Sequence, residues 1–335
     1  MSSSGGKLKL QAELALARVL RPWFVHQEQP GPPPAALQSQ PWVFGAPQSA
    51  VARATPNAIP KIIWAYWDGP DTPLLVQKCV AVWRALHPDF QIHVLDAQTL
   101  GDFIAQAQIP QALRGAAASA QKKSDWLRLR LLSQYGGIWL DASIILTQRL
   151  DWMLRAQQQW QADCAGFYLQ RFTSNPQFPV IENWAMAAPP QSAFIMAAAR
   201  EFEQHALPEG SASSGYTAHL RALGIYDALR QNIDDPEYLS MHLALQRVLQ
   251  DPGANYRLAL WKAEDTAYWF HQRAGWNRAR LKINLLLKKA PDAMPPLIKL
   301  RKPDRRKLDD YLRARLYSPE SVVGRCLLGA PGQKP

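Results

Sequence analysis

Cysteine is scarce in this chain: Cys79, Cys164 and Cys326 stand far apart among 335 residues. Three scattered thiols make neither a disulfide framework nor a zinc-type ligand set, and they fit a reduced, cytosolic compartment. No apolar run reaches the roughly 20 residues that cross a bilayer. A signal peptide is not expected either, because Gln11, Glu13 and Arg18 interrupt any apolar stretch after Lys7 and Lys9. No internal repeat is evident, and no helix-turn-helix, RNP-type or zinc spacing supports a nucleic-acid-binding role. Acidic side chains are in deficit: 38 Lys and Arg face 27 Asp and Glu, a net charge of +11. That surplus points to a partner carrying phosphate, whether nucleotide, anionic lipid or nucleic acid.

Tryptophan, by contrast, is abundant, with 13 copies. Indoles build cores, stack on bases and sugars, and anchor at membrane interfaces. The chain divides into four segments. Residues 1–28 carry Leu8, Leu10, Leu14, Leu16, Val19 and Leu20 at helical spacing beside Lys7, Lys9, Arg18 and Arg21. This amphipathic helix either packs on the domain or lies on an anionic membrane surface. Residues 29–58 are proline-rich and read as a linker or extended arm. Residues 59–275 alternate strands and helices, the pattern of an α/β domain with a parallel, Rossmann-like sheet. Its first strand is expected over Ile59 to Gly69, its first helix over residues 73–86, and its second strand over residues 90–96. A helix is expected over 98–107, and Ile144 to Thr147 should continue the sheet. Two helices are expected over 216–231 and 237–250, and an aromatic strand over 266–271. Residues 276–335 form a basic helical extension that holds most of the net charge.

The most informative stretch is Ser124 to Ser143. Trp126, Leu129 and Leu132 give a helix with one inward face, and Asp125 and Arg128 lie close together on it, three residues apart. Gly136-Gly137 stops the helix, since glycine takes the left-handed termination cheaply. Ile138-Trp139-Leu140 is a buried strand, and Asp141 emerges at its carboxyl end, where open α/β sheets place ligands. This constellation resembles the DXD-type glycosyltransferases of the GT-A fold: family 32 enzymes, capsular polysaccharide synthesis proteins and, more distantly, the glucosylating clostridial toxins. Their shared pattern is Ser-Asp-x-x-Arg, a helix, then Gly-Gly-aromatic-x-Asp-x-Asp. Ser124-Asp125, Arg128, Gly136-Gly137, Trp139 and Asp141 fall on it, while Ser143 stands where the second Asp would be. Ile59-Pro60-Lys61 through Gly69 resembles the opening strand of the same families, with Trp64 in place of the usual His. Leu297-Ile298-Lys299-Leu300 resembles a Lys-Leu segment near the end of capsular synthesis proteins.

The resemblance implies a GT-A, nucleotide-sugar-binding domain over 59–275 with helical additions at both ends. It implies a retaining glycosyltransferase that moves a sugar from a UDP- or GDP-linked donor to a glycan or lipid-linked acceptor. Asp125, Arg128 and Asp141 are then the catalytic candidates, and Trp64, Trp67, Gly69, Gly136 and Gly137 the donor-pocket candidates. A divalent cation, Mn²⁺ or Mg²⁺, would neutralise the departing diphosphate. Asp141, Ser143 and His271 are its candidate ligands, with serine a weak neutral one. The acidic turn Asp234-Asp235-Pro236-Glu237 is either solvated or supplies an acceptor-side carboxylate. The expected location is cytoplasmic, peripheral on the inner face of the plasma membrane. Two alternatives stand beside this expectation. Ser143 prompts a non-catalytic scaffold of the same fold, and the basic tail alone prompts nucleic-acid binding, although no nucleic acid is expected as a partner.

Overall fold

Residue 59 onward alternates strand and helix as the periodicity predicts, and the reason is visible in which side chains turn inward. The computed structural model describes residues 4–29, 41–45, 57–69, 71–114, 119–207 and 214–329. In chain order the strands are β1 (Trp42–Phe44), β2 (Ile62–Tyr66), β3 (Gln91–Leu95), β4 (Gly137–Leu140), β5 (Ile145–Leu146), β6 (Cys164–Tyr168), β7 (Ile181–Ala188), β8 (Leu258–Lys262) and β9 (Leu297–Ile298). The helices are α1 (Ser4–Phe24), α2 (Leu74–Leu86), α3 (Ala120–Tyr135), α4 (Asp151–Trp160), α5 (Ala193–Glu201), α6 (Ser214–Ala222), α7 (Tyr226–Arg230), α8 (Ser240–Leu249), α9 (Trp269–Arg273), α10 (Arg278–Leu286), α11 (Lys302–Arg305) and α12 (Leu308–Arg313).

A seven-stranded sheet runs in the order β1-β8-β6-β7-β4-β2-β3. β2 is parallel to β3 and to β4, and β6 is parallel to β8, while β7 and β1 run opposite to their neighbours. The expected α/β architecture with a mostly parallel sheet is therefore present. β4 is buried along its whole length, as expected for a central strand covered on both faces. α2 turns Leu75, Val76, Cys79, Val80 and Trp83 inward at helical spacing, and α3 starts on Ser119, whose hydroxyl accepts from the Lys122 amide at 3.2 Å.

Several local expectations fail for identifiable reasons. Residues 98–107 form short 3₁₀ turns, Thr99–Asp102 and Gln106–Gln108, rather than a helix. Asp96 Oδ1 accepts from the amides of Gln98 and Thr99 at 2.9 and 2.8 Å, a side-chain turn that competes with helical bonding. The expected strand over 266–271 is a turn followed by α9, with the Thr266 hydroxyl bonded to the Lys262 carbonyl at 2.8 Å. Its aromatic residues are buried all round instead of alternating. The helix expected over 216–231 breaks at Gly224, whose φ of +70° ends α6. β5 leaves the central sheet because the Ile144 amide turns back onto the Asp141 carbonyl at 3.0 Å, and it pairs with β9 instead. Most of the proline-rich arm lies outside the described residues, but β1 within it pairs with β8.

The basic segment after residue 276 packs against the body. Asp309 caps α2 from 235 residues away, accepting from the Leu74 and Leu75 amides at 2.8 and 3.0 Å. α1 is held by Glu13, which accepts from Lys282 Nζ at 2.7 Å, from Lys307 and from Tyr311 Oη at 3.0 Å. The same helix leaves Leu8, Leu16, Val19 and Trp23 exposed, the last two at 75 % each. Among the described residues no helix is long and apolar enough to cross a membrane.

Candidate functional site

The carboxyl ends of β2 and β4 open into a cleft of about 870 Å³. β4 delivers Asp141 to its wall, and the first turns of α3 deliver Ser124 and Arg128. Arg128 is buried and acts as the joint of the site. One guanidinium nitrogen reaches Asp125 Oδ1 at 3.1 Å and the Asn183 carbonyl at 3.0 Å. The other reaches the Ser124 hydroxyl at 3.1 Å and Asp141 Oδ1 at 3.4 Å. Its plane lies 5.1 Å from the Trp139 ring centre, so its charge is stabilised by carboxylates and a π face together. Asp125 stands behind Arg128 rather than on the cleft surface, bonded also by Asn183 Nδ2 at 3.1 Å. Burial raises the Asp125 pKa, against the opposing pull of Arg128.

Asp141 accepts on Oδ1 from Arg128 and from Trp139 Nε1 at 3.3 Å, and on Oδ2 from Lys299 Nζ. Burial pushes its pKa up, but the charges of Lys299 and Arg128 win and hold it at about 2. Burial likewise lowers the Lys299 pKa, against the pull of Asp141. The sequence did not single out Lys299 as a site residue. It arrives because β5 follows Asp141 directly and pairs with β9, in register Ile145 with Ile298, bringing a residue 158 positions away onto the carboxylate. Its only sequence signal was the Lys-Leu segment.

The other candidates separate. Trp67 lines the cleft, with the Arg305 guanidinium 5.5 Å from its ring centre, and Gly69 lies beside its indole nitrogen. Trp64 is buried in the core, donating from Nε1 to the Gly136 carbonyl at 2.8 Å and stacking on His93. Gly136 and Gly137 lie at the amino end of β4, opposite Asp141. Their φ values of 65° and 104°, and backbone atoms within 3 Å of where a Cβ would sit, explain the glycines structurally. Asp235 and Glu237 of the acidic turn face the cleft with Tyr238, whereas Asp234 pairs with Arg171 at 3.2 Å.

The three candidate metal ligands are not brought together. Asp141 is engaged by cations. Ser143 is 1 % exposed, does not line the cleft, and its hydroxyl has no hydrogen-bond partner. His271 is fully buried with Nε2 2.9 Å from Asp304 Oδ2. Burial lowers the His271 pKa. The Asp304 carboxyl is held below the usual range despite its own burial, by hydrogen bonds from His271 and Arg301. No cluster of three or more His, Cys, Asp or Glu suited to a metal occurs among the described residues. As arranged, this donor set does not fit a divalent cation at Asp141, because a hard cation needs several free oxygens.

Comparison with known proteins agrees with this cleft-bearing region. The family model for capsular polysaccharide synthesis proteins matches residues 47–219. The chain is similar to the glycosyltransferase afumC of Aspergillus fumigatus, 25 % identical over 268 residues that cover 69 % of this chain and 67 % of that one. It is 29 % identical over 150 residues to the O-glycosyltransferase braB of Annulohypoxylon truncatum, covering 40 % of this chain and only 35 % of braB. Among solved structures, the galactosyltransferase LGTC in complex with donor and acceptor sugar analogues shares 11 % identity over 81 % of this chain and 98 % of that one, with a TM-score of 0.36.

Proposed function

We propose that this chain, which belongs to the capsular polysaccharide synthesis protein family, is a glycosyltransferase that moves a sugar from a UDP- or GDP-linked donor to a glycan or lipid-linked acceptor. The observation that carries the proposal is the cleft at the carboxyl end of β4, where Arg128 ties Asp125 to Asp141 and Trp67 forms a facing wall. Each part suits a nucleotide sugar. An indole at the rim stacks on a base with little regard to its identity. Asp141 offers a carboxylate to sugar hydroxyls and Arg128 holds it in one orientation, which favours attack geometry over free tumbling. Asp235 and Glu237 also line the cleft and are offered as acceptor-side carboxylates.

Retention is inferred from the resemblance to family 32 enzymes and the toxins. In that chemistry the acceptor oxygen forms the new bond to the anomeric carbon as the bond to diphosphate breaks. The acceptor's proton passes to the departing phosphate, so no in-line base is required.

The proposed setting is the cytoplasmic face of an anionic membrane. The support is α1, whose outward face carries Leu8, Leu16, Val19 and Trp23, flanked by Lys9 and Arg18. A scaffold reading keeps one argument, the replacement of a second motif Asp by the buried Ser143. The deciding experiment incubates purified protein with a panel of UDP- and GDP-sugars and follows both melting temperature and released nucleotide. Donor-specific stabilisation with slow hydrolysis, lost in Asp141→Asn, is the expected result. Stabilisation without turnover under any acceptor would favour the scaffold, and no response to any donor would overturn the proposal.

A further inference from the structure

The carboxylate that the family pattern offers to a metal is occupied in this chain by a lysine, and a second cation on the cleft wall makes no direct salt bridge among the described residues. Lys299 Nζ is bonded to Asp141 Oδ2 and is only 8 % exposed. Arg305, at the end of α11, lines the cleft and also an adjoining recess shared with Trp67 and Pro73. Among the described residues Arg305 forms no direct salt bridge; its guanidinium lies 5.5 Å from the Trp67 ring centre, and Asp141 and Asp304 act on it only at longer range. Lys302 adds another charge to the same wall.

We propose that Arg305, with Lys302 on the same wall, binds the diphosphate of the donor and neutralises the departing nucleoside diphosphate in place of a divalent metal ion, while Lys299 holds Asp141 from behind the cleft surface. This rests on the reading of the cleft as a nucleotide-sugar site. The cleft is lined by Arg114, Lys122, Arg128, Lys302 and Arg305 against Asp68, Asp141, Asp235 and Glu237, a slight cationic excess that suits a multiply charged anion. The guanidinium fork of Arg305 matches two phosphate oxygens at once, and a partly buried site strengthens that attraction relative to water. As the anomeric carbon–oxygen bond breaks, its electron pair goes to the diphosphate. Fixed cations already aimed there stabilise the growing charge without reorganising.

The segment is also built to hold position. The Arg301 amide and Nε donate to Asp304 Oδ2 at 3.0 and 2.8 Å, and His271 binds the same oxygen from beneath. Asp309, four residues past Arg305, caps α2. The His271 expected as a metal ligand is thus a positioning residue for the turn that carries Arg305.

The test is calorimetric titration of the full chain with UDP and GDP in EDTA, then in Mn²⁺ or Mg²⁺. Binding in EDTA within about twofold of that with metal is expected, with a strong salt dependence. Arg305→Met should weaken it by about tenfold or more, and Arg305→Lys should recover part of the loss. Diphosphate binding that vanishes in EDTA and returns with metal would overturn the proposal while leaving the glycosyltransferase reading intact. So would an unchanged affinity in Arg305→Met. Failure to bind either nucleotide under both conditions would remove both.

Discussion

The two walls of the cleft are built in opposite ways. One wall, residues 124–143, is local: a helix, a glycine stop and a strand set Arg128 and Asp141 a few ångströms apart. The other, residues 297–305, is assembled from afar by the β5–β9 pairing and by the Asp309 cap on α2. The first wall is interlocked, each charge paired with its neighbour. The second ends in Arg305, which makes no direct salt bridge among the described residues and feels Asp141 and Asp304 only at longer range. A wall whose charges are mutually satisfied orients; a wall with charge left over binds an anion. Substitutions in the two should therefore fail differently.

The largest effect is expected at the joint of the local wall. Arg128→Met strands the buried Asp125 without its cation, while Asp141 keeps Lys299, and denaturant unfolding should show a loss of about 3–5 kcal/mol. A loss near that of an average surface mutation would show the two walls to be less different than argued. Asp141→Asn keeps the shape and removes the charge. Turnover is expected to fall by about 100-fold or more while the melting temperature moves by only a few degrees.

A smaller effect tests the remote wall's framework. His271→Ala removes the support beneath Asp304, and nucleotide affinity should drop by about threefold to tenfold with Asp141 chemistry unchanged. Equal loss with a neutral acceptor analogue that carries no phosphate would point to general misfolding instead.

Acid should distinguish the body from its N-terminal helix. Glu13 titrates at about 2 in the fold, against an ordinary 4.5, because its hydrogen bonds from Lys282 and Lys307 outweigh burial. A lowered carboxyl pKa means stabilisation that is complete above the ordinary value and fades as pH falls towards the folded one. Protection of the α1 amides, taken against the intrinsic exchange rate at each pH, should fall as pH drops from 4.5 towards 2, and Glu13→Gln should abolish that dependence. Asp141 loses its contribution over a lower window, from 3.8 to about 2. The mildest readout is vesicle binding: Val19→Glu with Trp23→Glu should lower partitioning onto anionic vesicles by about tenfold and leave donor turnover in solution unchanged. Unaltered partitioning would remove α1 as the contact.

Legibility follows the same division. Asp125, Arg128 and Asp141 are found in the sequence because a helix and a strand of ordinary geometry separate them, and period and glycine stop are local properties. Trp64 shows where that logic stops. Its place in the motif suggested the donor, but its indole bonds to the Gly136 carbonyl inside the core, a contact with a residue 72 positions away. His271 had nothing in its neighbourhood to reveal Asp304.

The sequence alone determined most of the elements around the cleft, the α/β class, the positive balance and the carboxylate–arginine pair, since these depend on spacing and composition. Only the tertiary structure decided which cations stand against Asp141. That choice comes from a pairing of two short strands distant in the chain, and ion pairs owe their identity to burial and proximity, neither of which a linear pattern encodes.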